Sequence, residues 1–238
     1  MLIVAVALAL ITIALVRDSA ARAGRPGQAA SSALTAIPVP RGILLYQAAL
    51  DGSGSELTDR YQIGDASASA IRTPAGALEF SVLKARGNAG AGLKFNAPAR
   101  YLAEIQLAAT PGASLHFWWT IRTGSPSPPP GNHIVDLDTA RGTAQLIYFE
   151  PVPANSSTGA TPPEALASVV NVSGLQAGKT LTLDALLDAP LYRLHVGGYA
   201  ISEAHDDRIG PTPTLGFAAF GQGGTVRLTA VSIFALAA

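Results

Sequence analysis

The sequence contains no cysteine. That one absence excludes disulfides, zinc–thiolate sites, thiol nucleophiles and the cysteine of a lipid-attachment box. Charge is also scarce and balanced, with 16 basic and 16 acidic side chains among 238 residues. A nucleic-acid surface calls for a basic excess or stripe; none is visible, so nucleic acid is not an expected partner. The four histidines show neither His-x-His nor His-Glu-x-x-His spacing, which argues against a transition-metal site. Ser53 stands in Asp51-Gly52-Ser53-Gly54-Ser55, but position 51 is not the glycine that a nucleophile elbow requires. Phosphate loops and dinucleotide fingerprints are missing as well.

Residues 2–16 form an apolar run broken only by Thr12. About 20 residues span a bilayer comfortably, so a shorter run suits a signal-peptide core or a short anchor. No Lys or Arg precedes it, while Arg17, Arg22 and Arg25 follow, which is the reverse of the usual arrangement for export. Ala21-Arg22-Ala23 before Gly24 has the form of a cleavage site, and the other reading places Met1 inside a longer membrane helix. Up to residue 40 the chain is rich in Ala, Ser, Gly and Pro without apolar periodicity. The expected organisation is a signal peptide or membrane anchor at 1–17, a flexible linker at 18–40 and one domain at 41–238. The expected location is extracytoplasmic, secreted or membrane-anchored.

The rest reads as short strands. Tyr192, Leu194 and Val196 alternate with Arg193 and His195, and Gly197-Gly198 then turns the chain into Tyr199-Ala200-Ile201. After an Asp206-Asp207 loop, Leu215, Phe217 and Ala219 alternate, Gly221 to Gly224 reads as a second turn, and Val226 and Leu228 begin a final strand. Period-2 apolar spacing bounded by such turns marks antiparallel strands with one buried face. Earlier strands are expected at 43–45, 61–63, 77–82, 93–95, 101–107, 114–122, 133–138, 144–149, 168–172 and 181–187. Loops fall at 51–55, at the proline-rich 126–130 and at 151–164. About a dozen one-sided strands without a helix bury themselves most simply as two packed sheets.

The closing pattern of Tyr-x-Leu-x-Val, Gly-Gly turn, Asp-Asp loop, Leu-Gly-Phe and Val-x-Leu-x-x-Val-x-Ile resembles the end of concanavalin A-like lectin/glucanase domains. It is closest to laminin-G-like and 3-keto-disaccharide-hydrolase-like jelly rolls. The resemblance covers residues 44–236 and implies an all-β, two-sheet antiparallel jelly-roll sandwich. It also implies a carbohydrate as the preferred ligand class. Laminin-G-like relatives often hold calcium at the sandwich rim, which puts Asp206 and Asp207 forward as ligands, with a solvated turn as the default. No other cofactor is expected.

In Leu115-His116-Phe117-Trp118-Trp119-Thr120-Ile121-Arg122, alternation sends Leu115, Phe117, Trp119 and Ile121 to the core. His116, Trp118, Thr120 and Arg122 face the other way; on the concave side they make an aromatic plate with polar neighbours of the kind that binds sugars, and the alternative is that Trp118 packs beneath the proline-rich loop. Asp136 and Asp138 share a strand face about 6.5–7 Å apart, within the range of paired glycosidase carboxylates, with two solvated carboxylates on an outward face as the default. The Glu-x-Asp-x-x-Glu strand of the retaining glucanases is nevertheless absent. Arg193 and His195 point away from their own core face and are expected to join His116. A cell-surface, non-catalytic glycan-directed module is the expected function. The alternatives are a glycoside hydrolase drawing on Asp136, Asp138 or Glu104, and a purely structural extracytoplasmic domain.

Overall fold

The computed structural model describes residues 41–50, 57–63, 69–74, 76–84, 87–93, 100–122, 132–149, 162–208 and 214–236. The segments 1–17 and 18–40, the 51–55 loop, residues 94–95, the 126–130 stretch and residues 151–161 lie outside them.

Among the described residues there are fifteen strands and no helix. In chain order they are β1 (Arg41–Gln47), β2 (Leu57–Ile63), β3 (Ser69–Arg72), β4 (Leu78–Val82) and β5 (Gly87–Leu93). Next come β6 (Arg100–Ala109), β7 (Ser114–Arg122), β8 (Asn132–Asp138), β9 (Thr143–Phe149) and β10 (Glu164–Ala165). The last five are β11 (Val170–Asn171), β12 (Leu181–Asp188), β13 (Leu191–Val196), β14 (Tyr199–His205) and β15 (Thr214–Leu236). Every pairing is antiparallel.

Two sheets pack face to face. The front sheet runs β2–β5–β15–β7–β8–β9, with the two-residue strands β10 and β11 both against β9. The back sheet runs β3–β4–β15–β6–β12–β13–β14, with β1 beside β15 on the side that also carries β4. This is the expected two-sheet jelly-roll sandwich.

One strand belongs to both sheets, and here the sequence expectation fails. Gly221 to Gly224 does not reverse the chain; β15 continues from Leu215 beside β7 to Ile233 beside β6. Gly221, Gly223 and Gly224 have φ of 140°, 141° and 129°, values that L side chains rarely adopt. A Cβ on Gly221 would stand 2.5 Å from the Ser114 carbonyl oxygen, and one on Gly224 2.5 Å from Ala113 Cβ. The glycines are spent on carrying a strand from one layer to the other past the start of β7.

β5, Gly-Asn-Ala-Gly-Ala-Gly-Leu, was not expected as a strand because small residues have little β-propensity. It is held by its neighbour: Ala91 and Ala89 lie opposite Phe217 and Ala219 of β15, and the large ring fills the space the small residues leave. The expected strand at 168–172 is reduced to β11.

Alternation places Phe80, Phe117 and Phe217 between the sheets, with ring centroids 5.8, 5.9 and 6.3 Å apart. Trp119, Tyr101, Ile105, Leu107, Leu183, Tyr192 and Leu194 fill the same layer. Each such side chain contributes about 1.5–3 kcal/mol by leaving water. The inner face also holds a charged polar tie. His133 of β8 is fully buried and meets Asp206, just past β14, at 3.1 Å from Nε2 to Oδ2. Arg208 then donates to Asp206 through Nε at 2.7 Å and lies over the Tyr148 ring. The expected calcium ligand Asp206 is thus already engaged by a histidine and an arginine, while Asp207 is exposed.

Candidate functional site

The outer face of the front sheet is assembled from alternate residues of β7, β8, β9 and β15. Leu115, Phe117 and Trp119 face the core, so His116, Trp118 and Thr120 face outward. From the neighbouring strands come Ile134, Asp136, Ile147, Phe149, Ala218 and Phe220. The apolar members form a second cluster, separate from the core.

Trp118 is part of that cluster and not an exposed plate. It is 9% exposed, meets Phe220 edge-on at 4.8 Å and lies 6.4 Å from Phe149. Its indole Nε1 has no hydrogen-bond partner. A single strand could not reveal this burial, because the rings that enclose Trp118 arrive from β9 and β15.

His116 supplies the polar part. Its ring lies flat on Phe220, with centroids 5.4 Å apart and planes 8° from parallel. Its Nδ1 donates to Asp136, 3.0 Å from Oδ1 and 3.3 Å from Oδ2. The contact is diagonal, since the ladder sets Trp118 opposite Asp136 and His116 opposite Asp138. Burial disfavours the charged imidazole, but the Asp136 hydrogen bond and the charges of Asp136 and Asp138 outweigh it, so the His116 pKa is raised. Both side chains remain open to solvent, at 28% for His116 and 19% for Asp136.

The other expected residues separate. Asp138 closes the β8–β9 turn, accepting the Arg141 amide at 3.0 Å with the Arg141 guanidinium at 3.5 Å. Arg122 ends β7, and its side chain lies outside the described residues. Arg193 and His195 do not join His116. They stand on the outer face of the back sheet, across the whole sandwich, because β13 pairs with β12 and β14 and has no edge on the front sheet. Arg193 donates to Glu203 at 2.7 Å.

That second outer face carries a row that sequence reading did not find. Ser232, Glu104, Asp184 and His195 lie opposite one another on β15, β6, β12 and β13. Asp184 is fully buried and His195 is 1% exposed. Arg41 pairs with Glu104 and reaches within 3.8 Å of Asp184. Burial, then the neighbouring Glu104 charge, pushes the Asp184 carboxyl up to about 7, with Arg41 opposing. Burial and the Arg193 charge lower the His195 pKa, with the Asp184 backbone opposing, and favour its neutral form. Alternation along β12 marks Asp184 as outward-facing, but its alignment with Glu104 and His195 is a matter of register between strands distant in sequence. No group of three or more His, Asp or Glu side chains among the described residues is arranged to hold a metal ion.

No protein-family model and no curated protein matches the sequence. Solved structures do share the fold. A β-1,3-1,4-glucanase (lichenase) from a mouse hindgut metagenome superimposes with a TM-score of 0.58 at 10% identity, over 80% of this chain and 99% of that one. A Bacillus subtilis protein described as having a galectin-like fold gives 0.60 at 13% identity, over 82% and 97%. A carbohydrate-binding module from the same organism gives 0.54 at 8% identity, over 75% and 97%. At such identities the likeness establishes architecture alone. The chain has the concanavalin A-like lectin/glucanase jelly-roll fold.

Proposed function

We propose that this protein is a non-catalytic, glycan-directed binding module whose ligand face is the outer side of the front sheet. The observation that carries this reading is the partly exposed His116–Asp136 pair lying on the apolar bed of Phe220 and Trp118. A pyranose presents an apolar C–H face and a rim of hydroxyls, and such a bed with adjacent polar groups complements both. That structures described as a glucanase and as a carbohydrate-binding module share the fold supports the ligand class.

Binding is favoured over hydrolysis by what the acids are doing. Asp138 is engaged in its turn, and Asp136 is held by His116. Glu104 faces Asp184, which has no exposed surface to offer a substrate. Two acids flanking an accessible sugar are what hydrolysis needs. The apolar run at 2–16 supports an extracytoplasmic, membrane-held placement of the module.

The test is titration of the full chain in detergent with a panel of oligosaccharides, following tryptophan emission. Only Trp118 and Trp119 emit, and Trp119 is sealed in the core. The expected result is a saturable shift that is lost in His116→Ala and weakened in Asp136→Asn, with circular dichroism unchanged. Silence across the panel in folded protein overturns the reading.

A further inference from the structure

The strand β1 departs from the rest of the surface. Ile43 is 77% exposed, and Leu44 and Leu45 are each 47% exposed, so three consecutive apolar side chains stand in water on both sides of one strand. Among the described residues β15 is the only strand that β1 pairs with. Its pairing is irregular, with register shifts between Arg41 and Leu44 and between Leu44 and Tyr46. Extra residues in a bulged strand turn successive side chains outward, which accounts for the triple exposure. Edge strands are ordinarily guarded by charge or proline. Between Gly42 and Gln47 there is neither, and the Arg41 side chain is drawn away to Glu104 and over the Phe234 ring.

We infer that β1 is a self-association edge, and that its partner is β1 of a second copy of this chain, paired antiparallel about a two-fold axis at Leu44. Three observations favour this occupant. Among the described residues no strand pairs with the second edge of β1, and such an edge needs donors and acceptors; a second strand supplies them, whereas the hydrocarbon of a membrane does not. In this register Ile43 faces Leu45 of the other copy, Gly42 faces Tyr46 and Arg41 faces Gln47, so apolar residues meet and no like charges oppose. The two register shifts flank Leu44, so the axis superimposes one on the other. A seven-residue strand spans about 24 Å. That is too little for the standard interface of about 800 Å² per partner, so the dimer is weak and concentration-dependent. Because β1 belongs to the back sheet, dimerisation leaves the outer face of both front sheets free.

The absence of native cysteine makes the test direct. Opposed Cα atoms in an antiparallel pair lie about 4.5–5.5 Å apart, inside the range a disulfide bridges. In the full chain in detergent, Leu44→Cys is expected to oxidise to a covalent dimer at least tenfold faster than Val169→Cys or Tyr199→Cys, two comparably exposed controls. A mixture of Ile43→Cys and Leu45→Cys chains is expected to cross-link more than either alone. Sedimentation of the unmodified chain should show a dimer that Leu44→Lys abolishes. Cross-linking of Leu44→Cys no faster than the controls, or a dimer indifferent to Leu44→Lys, overturns the inference. So does protection of position 44 from thiol reagents that appears only when lipid vesicles are added, which would assign the edge to a bilayer.

Discussion

Asp184 and Glu104 oppose each other across the β12–β6 ladder, two carboxyl groups on one face with Arg41 the cation that reaches both. Burial disfavours the ionised Asp184 carboxyl, and the like charge of Glu104 opposite it adds to that penalty.

The pair makes stability depend on pH in a defined direction. With a folded-state pKa of about 7 against an ordinary 3.8, Asp184 binds its proton more tightly folded than unfolded. Its contribution is therefore full below about pH 4, declines as pH rises towards 7 and is flat above. Asp184→Asn removes the charge at constant shape. It should stabilise the domain by about 1–3 kcal/mol at pH 8 and by progressively less towards pH 4. Thermal melts across that range measure this; a destabilised variant at pH 8 would contradict it.

His116 should titrate above the ordinary histidine value because of Asp136. Its contribution to stability is fully present below pH 6.5, the ordinary value, and is lost as pH rises through the raised folded value. Asp136→Asn is expected to lower the His116 pKa, read from imidazole chemical shifts. An unchanged titration would show that Asp136 does not hold the proton there.

The buried tie between sheets responds to acid instead. Burial alone would raise the Asp206 pKa, but hydrogen bonds from Arg208 and the partnership of His133 overcome it and hold the carboxyl below its usual value. That stabilisation is present above about pH 4 and is lost as pH falls through the folded-state value. Asp206→Ala, which takes from His133 and from Arg208 the buried carboxylate that both of them meet, should cost about 2 kcal/mol or more at neutral pH. Combined with His133→Ala in a double-mutant cycle, the losses should be less than additive. Full additivity would mean that the two residues do not act together.

Gly224→Ala should be far worse than Gly112→Ala. Both have positive φ, but alanine at 112 meets no atom within 4 Å, whereas at 224 it drives its Cβ to 2.5 Å from Ala113. We expect about 1–2 kcal/mol for the first and about 3 kcal/mol or more for the second. At about 2–4 °C per kcal/mol for a domain of this size, melting temperatures separate the two. Equal losses would show that the sheet crossing tolerates rearrangement.

The sequence disclosed what depends on one strand at a time. Alternation along β7 put Trp119 inside and Trp118 outside, and the structure places them so. What joins strands distant in the chain was hidden. Phe220 and Phe149 enclose Trp118 from two other strands, and Arg193 and His195 fall on the far sheet because β13 follows β12. The row of Glu104, Asp184 and His195 requires the register of three strands to be known at once. β5 was missed for a related reason, since its glycines and alanines become a strand only through the ring of Phe217 beside them.

β15 has a consequence for how the fold is reached. It is the last of the described strands, yet it lies in the middle of both sheets and is the link between β7 and β6 in the order of strands. Hairpins such as β7–β8 and β12–β13 can form early from local sequence, but each remains half a layer until β15 arrives. Assembly should therefore be all-or-none and slow, closing like a zip whose slider is inserted last. A chain ending before residue 214 should yield neither sheet alone, but a collection of hairpins exposing the apolar face meant for the core.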